Sequence, residues 1–195
     1  MQGKIEVICG SMFSGKSEEL LRRLRRAEIA GLKYVLCKPV QDTRTNGGIA
    51  THSGEEAEAI SILSGFQIQG IADIDDVDIV AIDEAQFLDH VSVNVVERLA
   101  DSGKRVIIAG LDLDYRGEPF GPMPHFMAVA ACVTKLRAVC VVCGADACRT
   151  QRIVPGGELV EIGAADKYEA RCREHFEPPE VGTSGRTERT QWNLS

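Results

Sequence analysis

Gly10-Ser11-Met12-Phe13-Ser14-Gly15-Lys16-Ser17 spells a complete G-x-x-x-x-G-K-S phosphate loop, preceded by an apolar run, Lys4 to Cys9, and followed by a helix-like segment. Strand, loop and helix in that order open an α/β nucleotide-binding sheet. Gly10 and Gly15 free the backbone to curl, so that successive N–H groups point inward at phosphates, and the helix start adds the positive end of its dipole. Lys16 can then reach the β- and γ-phosphates and Ser17 can ligate magnesium. The chain is therefore expected to bind a nucleoside triphosphate; the loop alone leaves the phosphate acceptor open.

A second element answers the first. Ile79-Val80-Ala81-Ile82 has the unbroken apolar character of a buried parallel strand and ends in Asp83-Glu84. Ligands of open α/β sheets sit at this carboxyl edge. Phosphate-loop proteins place a magnesium-directed aspartate here, and the next residue often handles the nucleophile. Consecutive strand residues face opposite ways, so the two carboxylates are expected to have separate tasks.

With 195 residues, 44% of them hydrophobic, the chain suits one main domain with a small appendage. No apolar run approaches the ~20 residues that cross a bilayer, and the N-terminus enters strand pattern without a signal core. A cytoplasmic protein without a membrane partner is expected. A net charge of −7 counts against DNA or RNA as partner, because such binding rests on Lys and Arg neutralising phosphates. A small, nearly neutral acceptor fits better. The one basic cluster, Arg22-Arg23-Leu24-Arg25-Arg26, reads as a solvated helix face.

Further along, Gly31 marks a helix stop, Tyr34 to Cys37 reads as a strand broken by Pro39, and Gln41 to Gly54 is a long polar loop of the functional kind. Val91 to Ala100 has helical periodicity, and Arg105 to Ala109 gives another buried strand ending at Gly110-Leu111-Asp112. The alternation predicts a parallel sheet. Near residue 137 cysteines and glycines replace it, and from Pro178 the composition becomes that of a flexible polar tail. The expected organisation is a nucleotide-binding α/β domain over 1–136, a metal-binding unit over 137–177 and a tail over 178–195.

Seven cysteines without an export signal do not make a disulfide scaffold, so spacing decides. Cys140-Val-Val-Cys143 and Cys172-Arg-Glu-His175 are two ligand pairs at zinc-ribbon spacing. Four protein ligands leave no position for water, which makes the site structural. It would tie the base of a loop from Arg149 to Arg171 that has too little apolar content to hold itself. Cys148 lacks a partner at such spacing, and Cys9, Cys37 and Cys132 read as buried small hydrophobes.

These motifs, with Asp42-Thr43-Arg44, Asp83-Glu84-Ala85-Gln86-Phe87, Gly110-Leu111-Asp112 through Phe120-Gly121, and Gly163-Ala164-Ala165-Asp166-Lys167-Tyr168, strongly resemble the type II thymidine kinases over about residues 4 to 176. The resemblance implies transfer of the γ-phosphoryl group of ATP to the 5′-hydroxyl of thymidine. It implies a RecA-like α/β domain, a small zinc-ribbon unit with a lasso loop closing over the nucleoside, and a homotetramer. By position it gives Glu84 the role of proton acceptor, and Lys16, Ser17 and Asp83 the triphosphate and magnesium. Arg44 falls near the transferring phosphate, and ATP contacts extend over Gly10 to Ser17 and Asp83 to Gln86. Met12, Phe87, Tyr115, Phe120, Thr150 and Tyr168 correspond to the thymidine pocket, with Leu159, Glu161, Ile162 and Gly163 of the lasso reading the base. Thymidine triphosphate is implied as a feedback inhibitor. Two departures are modest: Gly163-Ala164 replaces a glycine pair, and His175 stands where some members have cysteine.

Independently, aromatics are only 5% of the chain, yet Phe13, Phe87, Tyr115, Phe120 and Tyr168 all fall in the site segments, where a flat base would use them. Two other readings start from the same residues. One is a phosphate-loop ATPase driving a nucleic-acid transaction, disfavoured by the acidic charge. The other is a non-catalytic zinc-ribbon docking protein, disfavoured by intact Lys16, Ser17, Asp83 and Glu84.

Overall fold

Strands buried on both faces draw on near-continuous apolar runs, and four short, largely apolar blocks of the chain supply them: Lys4–Cys9 (β1), Tyr34–Pro39 (β2), Ile79–Ile82 (β6) and Arg105–Gly110 (β7). The computed structural model describes residues 3–40, 48–50, 56–74, 77–154 and 166–179. Between these blocks lie Gly48–Ala50 (β3), Glu56–Glu58 (β4) and Ile60–Ile62 (β5), and Cys132–Lys135 (β8) follows them. The helices are Lys16–Ile29 (α1), Gly65–Ile74 (α2), Val91–Asp101 (α3) and Met123–Val129 (α4).

The main sheet has the order β5-β2-β6-β7-β1-β8, and every pairing in it is parallel. Successive side chains leave opposite faces. Val7, Cys9, Cys37, Val80, Ile82, Val106 and Ile108 therefore pack under α2, α3 and α4, in one cluster with Phe126. Ile8, Leu36, Ile79, Ala81, Ile107 and Ala109 pack under Leu20, Leu21, Leu24 and Ala27 of α1. β7 lies between β1 and β6, with Cys9 opposite Gly110 and Ile82 opposite Ile108. The phosphate loop, Asp83 and the Gly110-Leu111-Asp112 turn thus leave the same edge of the sheet side by side.

After β8 the strand pairs among the described residues are antiparallel: Ala138–Val139 (β9) with Asp146–Ala147 (β10), and Arg149–Arg152 (β11) with Tyr168–Arg171 (β12). Their small core consists of Ala138, Cys140, Ala147, Ala170 and Cys172. The β3–β4 pair is also antiparallel.

Three expectations need correction. Pro39 is the last residue of β2 and not its breaker, because the ladder continues one residue on through Val40 N–H to Ile62 O at 2.9 Å. Cys132 is exposed, lying on an edge strand whose pattern is mostly open to solvent; Cys9 and Cys37 are buried as expected. The basic cluster is not uniformly solvated. Arg22, Arg25 and Arg26 are exposed, but Arg23 crosses from α1 to Glu6 of β1 at 2.8 Å and also bonds Glu19 and Thr134. Glu6, 6% exposed, further receives Arg105 and Lys4, each at 2.8 Å.

Candidate active site and metal centre

The phosphate loop turns on left-handed backbone. Gly10 and Gly15 have φ of 149° and 81°, and a Cβ on Gly10 would lie 2.5 Å from the Leu136 carbonyl oxygen. Inside the turn, Ser14 Oγ and Lys16 Nζ each donate to Ser11 O at 2.8 Å. Gly15 precedes α1, so the N–H groups of the first helical turn open into the loop.

Across the β1–β7–β6 edge, Ser17 Oγ donates to Asp83 Oδ2 at 2.9 Å, while the Glu84 N–H donates to Asp83 Oδ1 at 2.9 Å. Asp83 is 4% exposed. Burial, reinforced by the neighbouring Glu84, pushes its carboxyl up to about 7 against the opposing pull of Ser17, the Glu84 amide and Lys16. A hydroxyl and a carboxylate held this close form the donor set of a hard divalent cation, and residues of this chemistry fit magnesium. Glu84 departs from the strand with φ of 51° and turns into the Ala85–Phe87 helical turn. The two carboxylates have different partners: Asp83 accepts from Ser17, and Glu84 accepts from Gln86.

Gln86 is 2% exposed and holds this arrangement. Its Nε2 donates to Glu84 Oε2, and its Oε1 accepts from the Leu111 N–H at 3.0 Å. Phe87 meets Phe120 edge to face, with centroids 5.6 Å apart. The β11–β12 hairpin carries the other predicted pocket residues: Thr150 Oγ1 accepts from the Met12 N–H at 3.0 Å, and Tyr168 stands opposite Arg152. Arg152 stacks on Tyr115, its guanidinium carbon 3.8 Å from the ring centroid, and donates to Tyr168 Oη at 3.0 Å.

Met12 is thus joined to Thr150, Tyr115 to Tyr168 through Arg152, and Phe87 to Phe120. Arg44, Leu159, Glu161, Ile162 and Gly163 lie outside the described residues. Arg152 was missed at the sequence level, although β-alternation from Thr150 puts it on the same face of β11. Also missed was Asp112, 5% exposed, which pairs with Lys135 across the ends of β7 and β8. No local signal announces that pair, because it joins two separate strand ends.

Cys140, Cys143, Cys172 and His175 converge, with all ligand atoms within 4.8 Å of one another. Cys143 Sγ lies 3.8 Å from Cys172 Sγ, and His175 Nδ1 lies 3.1 Å from Cys172 Sγ and 3.9 Å from Cys140 Sγ. Sulfurs at ~2.3 Å from a tetrahedral ion stand ~3.8 Å apart, so the set fits zinc. Burial opposes ionisation of Cys140, yet the amides of Cys172, Cys143 and Val142 turned on its sulfur bring the thiol down to about 6.

A family model described as thymidine kinase matches residues 3–176. A protein named thymidine kinase from Rhodothermus sp. (strain ITI 518) is 52% identical over 178 residues, 91% of this chain and 83% of the relative. Among solved structures, the Legionella pneumophila ATPase DotB aligns at 16% identity and TM-score 0.42, over 67% of this chain and 35% of that one. Domain III of the Thermotoga maritima replication initiation protein DnaA aligns at 16% identity and TM-score 0.41, over 70% and 56%. Likeness at that level carries no functional argument.

Proposed function

The chain belongs to the thymidine kinase family, its activity is ATP-dependent phosphorylation of thymidine, and from that premise we propose how its residues divide the work. The observation that carries the proposal is the meeting of Ser17 and Asp83 at 2.9 Å, with the neighbouring Glu84 carboxylate held by Gln86.

In this reading the amides of Gly10 to Ser17 and the Lys16 ammonium hold the triphosphate. The 5′-oxygen of thymidine forms the new bond to the γ-phosphorus as the bond to ADP breaks in line. Glu84 orients the 5′-hydroxyl and takes its proton late, with its carboxylate held by Gln86, while Ala85 and Gln86 belong to the ATP-binding segment. Positioning and charge complementarity account for most of the acceleration. Ser17 and Asp83 would hold magnesium, which supplies charge neutralisation at the phosphates when bound. Met12, Phe87, Tyr115, Phe120, Thr150 and Tyr168 enclose the nucleoside. The lasso residues Leu159, Glu161, Ile162 and Gly163 read its base edge, and Arg44 approaches the transferring phosphate. Cys140, Cys143, Cys172 and His175 would hold a structural zinc.

The same reading assigns nucleotide binding to 1–136, the zinc and lasso unit to 137–177 and a tail to 178–195. It gives a cytoplasmic homotetramer without nucleic-acid or membrane partners, inhibited by thymidine triphosphate, whose phosphates reach the same phosphate binders. Among the described residues no helix is long and apolar enough to cross a membrane. Comparing Glu84→Gln with wild type tests the division of labour: magnesium-dependent ATP binding should survive and phosphoryl transfer should collapse. Transfer at a near-normal rate would remove Glu84 from the mechanism.

A further inference from the structure

Phe13 sits inside the phosphate loop, yet it takes a left-handed backbone conformation that its Cβ disfavours, with φ of 63°. Its ring packs on the small core of Ala138, Cys140, Ala147, Ala170 and Cys172, and two of those residues are metal ligands. Its neighbours make the same crossing. The Met12 N–H donates to Thr150 Oγ1 at 3.0 Å, and Ser11 Oγ donates to Ala147 O at 3.5 Å. Gly10 lies against the Leu136 carbonyl so closely that no side chain fits. Four consecutive residues of the loop, Gly10 to Phe13, are therefore braced from outside, by the segment between β8 and β12.

We propose that Phe13 is a positioning residue through which the zinc unit holds the phosphate loop in its ATP-binding shape. A phosphate loop draws its strength from several amides converging on one point, so its affinity depends on the loop being set before the ligand arrives. The strained Phe13 backbone persists because the ring is anchored, and the anchor is built around Cys140 and Cys172. Loss of the metal loosens that core, and Phe13 conveys the loss to Met12 and Ser11. The zinc unit then serves ATP binding as well as the lasso. The inference rests on residues 10–17 being the ATP site, a reading that Lys16→Ala tests separately.

The experiment measures the affinity of a fluorescent ATP analogue in excess magnesium, without thymidine, for the full chain before and after zinc removal by 1,10-phenanthroline. The same pair of measurements is made on Phe13→Gly, which removes the ring and tolerates the backbone angle, and on Thr150→Val. Zinc content and thermal melting accompany each sample. Zinc removal from wild type should weaken ATP roughly 10-fold, Phe13→Gly should weaken it by a similar factor with zinc retained, and the two losses should not add. Thr150→Val should weaken it by a smaller factor. ATP affinity within about twofold of wild type after zinc removal, or losses from zinc removal and Phe13→Gly that multiply, would overturn the proposal. Wild-type analysis with phenanthroline and Thr150→Val decides the matter if Phe13→Gly does not fold.

Discussion

Replacing Gln86 by leucine tests whether the buried amide, and not the strand end alone, sets the catalytic carboxylate. Leucine nearly matches the volume of glutamine, so packing is largely kept, but both ends of the clamp are lost. One end donates to the Glu84 carboxylate, a charge-assisted bond of about 1.5–3 kcal/mol; the other accepts from the Leu111 N–H, a neutral bond of about 0.5–1.5 kcal/mol. Stability should fall by about 2–4 kcal/mol, which a urea titration resolves. Glu84 also holds a left-handed backbone angle that relaxes when its partner is gone. A displacement of the order of 1 Å at a catalytic group costs roughly 100-fold, so kcat should drop roughly 10- to 100-fold. The ATP KM should change by less than about threefold, since the Gly10 to Ser17 turn keeps its own bonds to Ser11 O. A coupled ADP-release assay with saturating thymidine reads both constants. An unchanged kcat, or a loss confined to the ATP KM, would refute the reasoning and move Gln86 to nucleotide binding or packing.

Lys16→Ala and Glu84→Gln should each lower turnover roughly 100- to 10,000-fold with unchanged circular dichroism; near-normal turnover in either removes that residue from the chemistry. Purified protein should carry one zinc per chain by metal analysis, and Cys143→Ser should lose metal and thymidine affinity together; a metal-free chain with full affinity would defeat the structural role. Burial pushes Glu6 up, but Arg105 and Lys4 hold its carboxyl down at about 2 against an ordinary 4.5. A depressed folded-state value stabilises above the unfolded value and is lost as pH falls through the folded one. Glu6→Gln should therefore destabilise the protein by about 2–3 kcal/mol at neutral pH and flatten the wild-type loss of stability between pH 4.5 and 2. An equal acid dependence in both proteins would place the effect elsewhere.

The elements legible in the sequence were those whose signal is local. β1, β6, β7, α1 and α3 follow from apolar blocks and helical periodicity, and the phosphate loop, Asp83-Glu84 and the ligand pairs are contiguous motifs. α2 opens on a glycine and carries few charged residues, α4 is short and proline-started, and β8 is an exposed edge, so none has a distinct period to read. Cys132 was misread for the same reason, because an apolar neighbourhood in sequence does not reveal that a strand lies at the sheet edge. Gln86 bridging Glu84 to Leu111, Arg152 between Tyr115 and Tyr168, and Phe13 on the metal core are products of tertiary approach. They join segments up to more than a hundred residues apart, which no pattern within one segment can register.

The central claim is phosphoryl transfer to thymidine, and the most direct measurement is monophosphate formation from thymidine, deoxycytidine, deoxyadenosine and deoxyguanosine with magnesium and ATP. A base with the wrong donor and acceptor pattern leaves buried polar groups unpaired, at about 1–3 kcal/mol for each. Thymidine monophosphate should form with one ADP released per product, and kcat/KM for thymidine should exceed that for deoxycytidine by at least about 10-fold, with the purine nucleosides failing on size. ATP hydrolysis without any nucleotide product, above all if DNA stimulates it, would contradict the account.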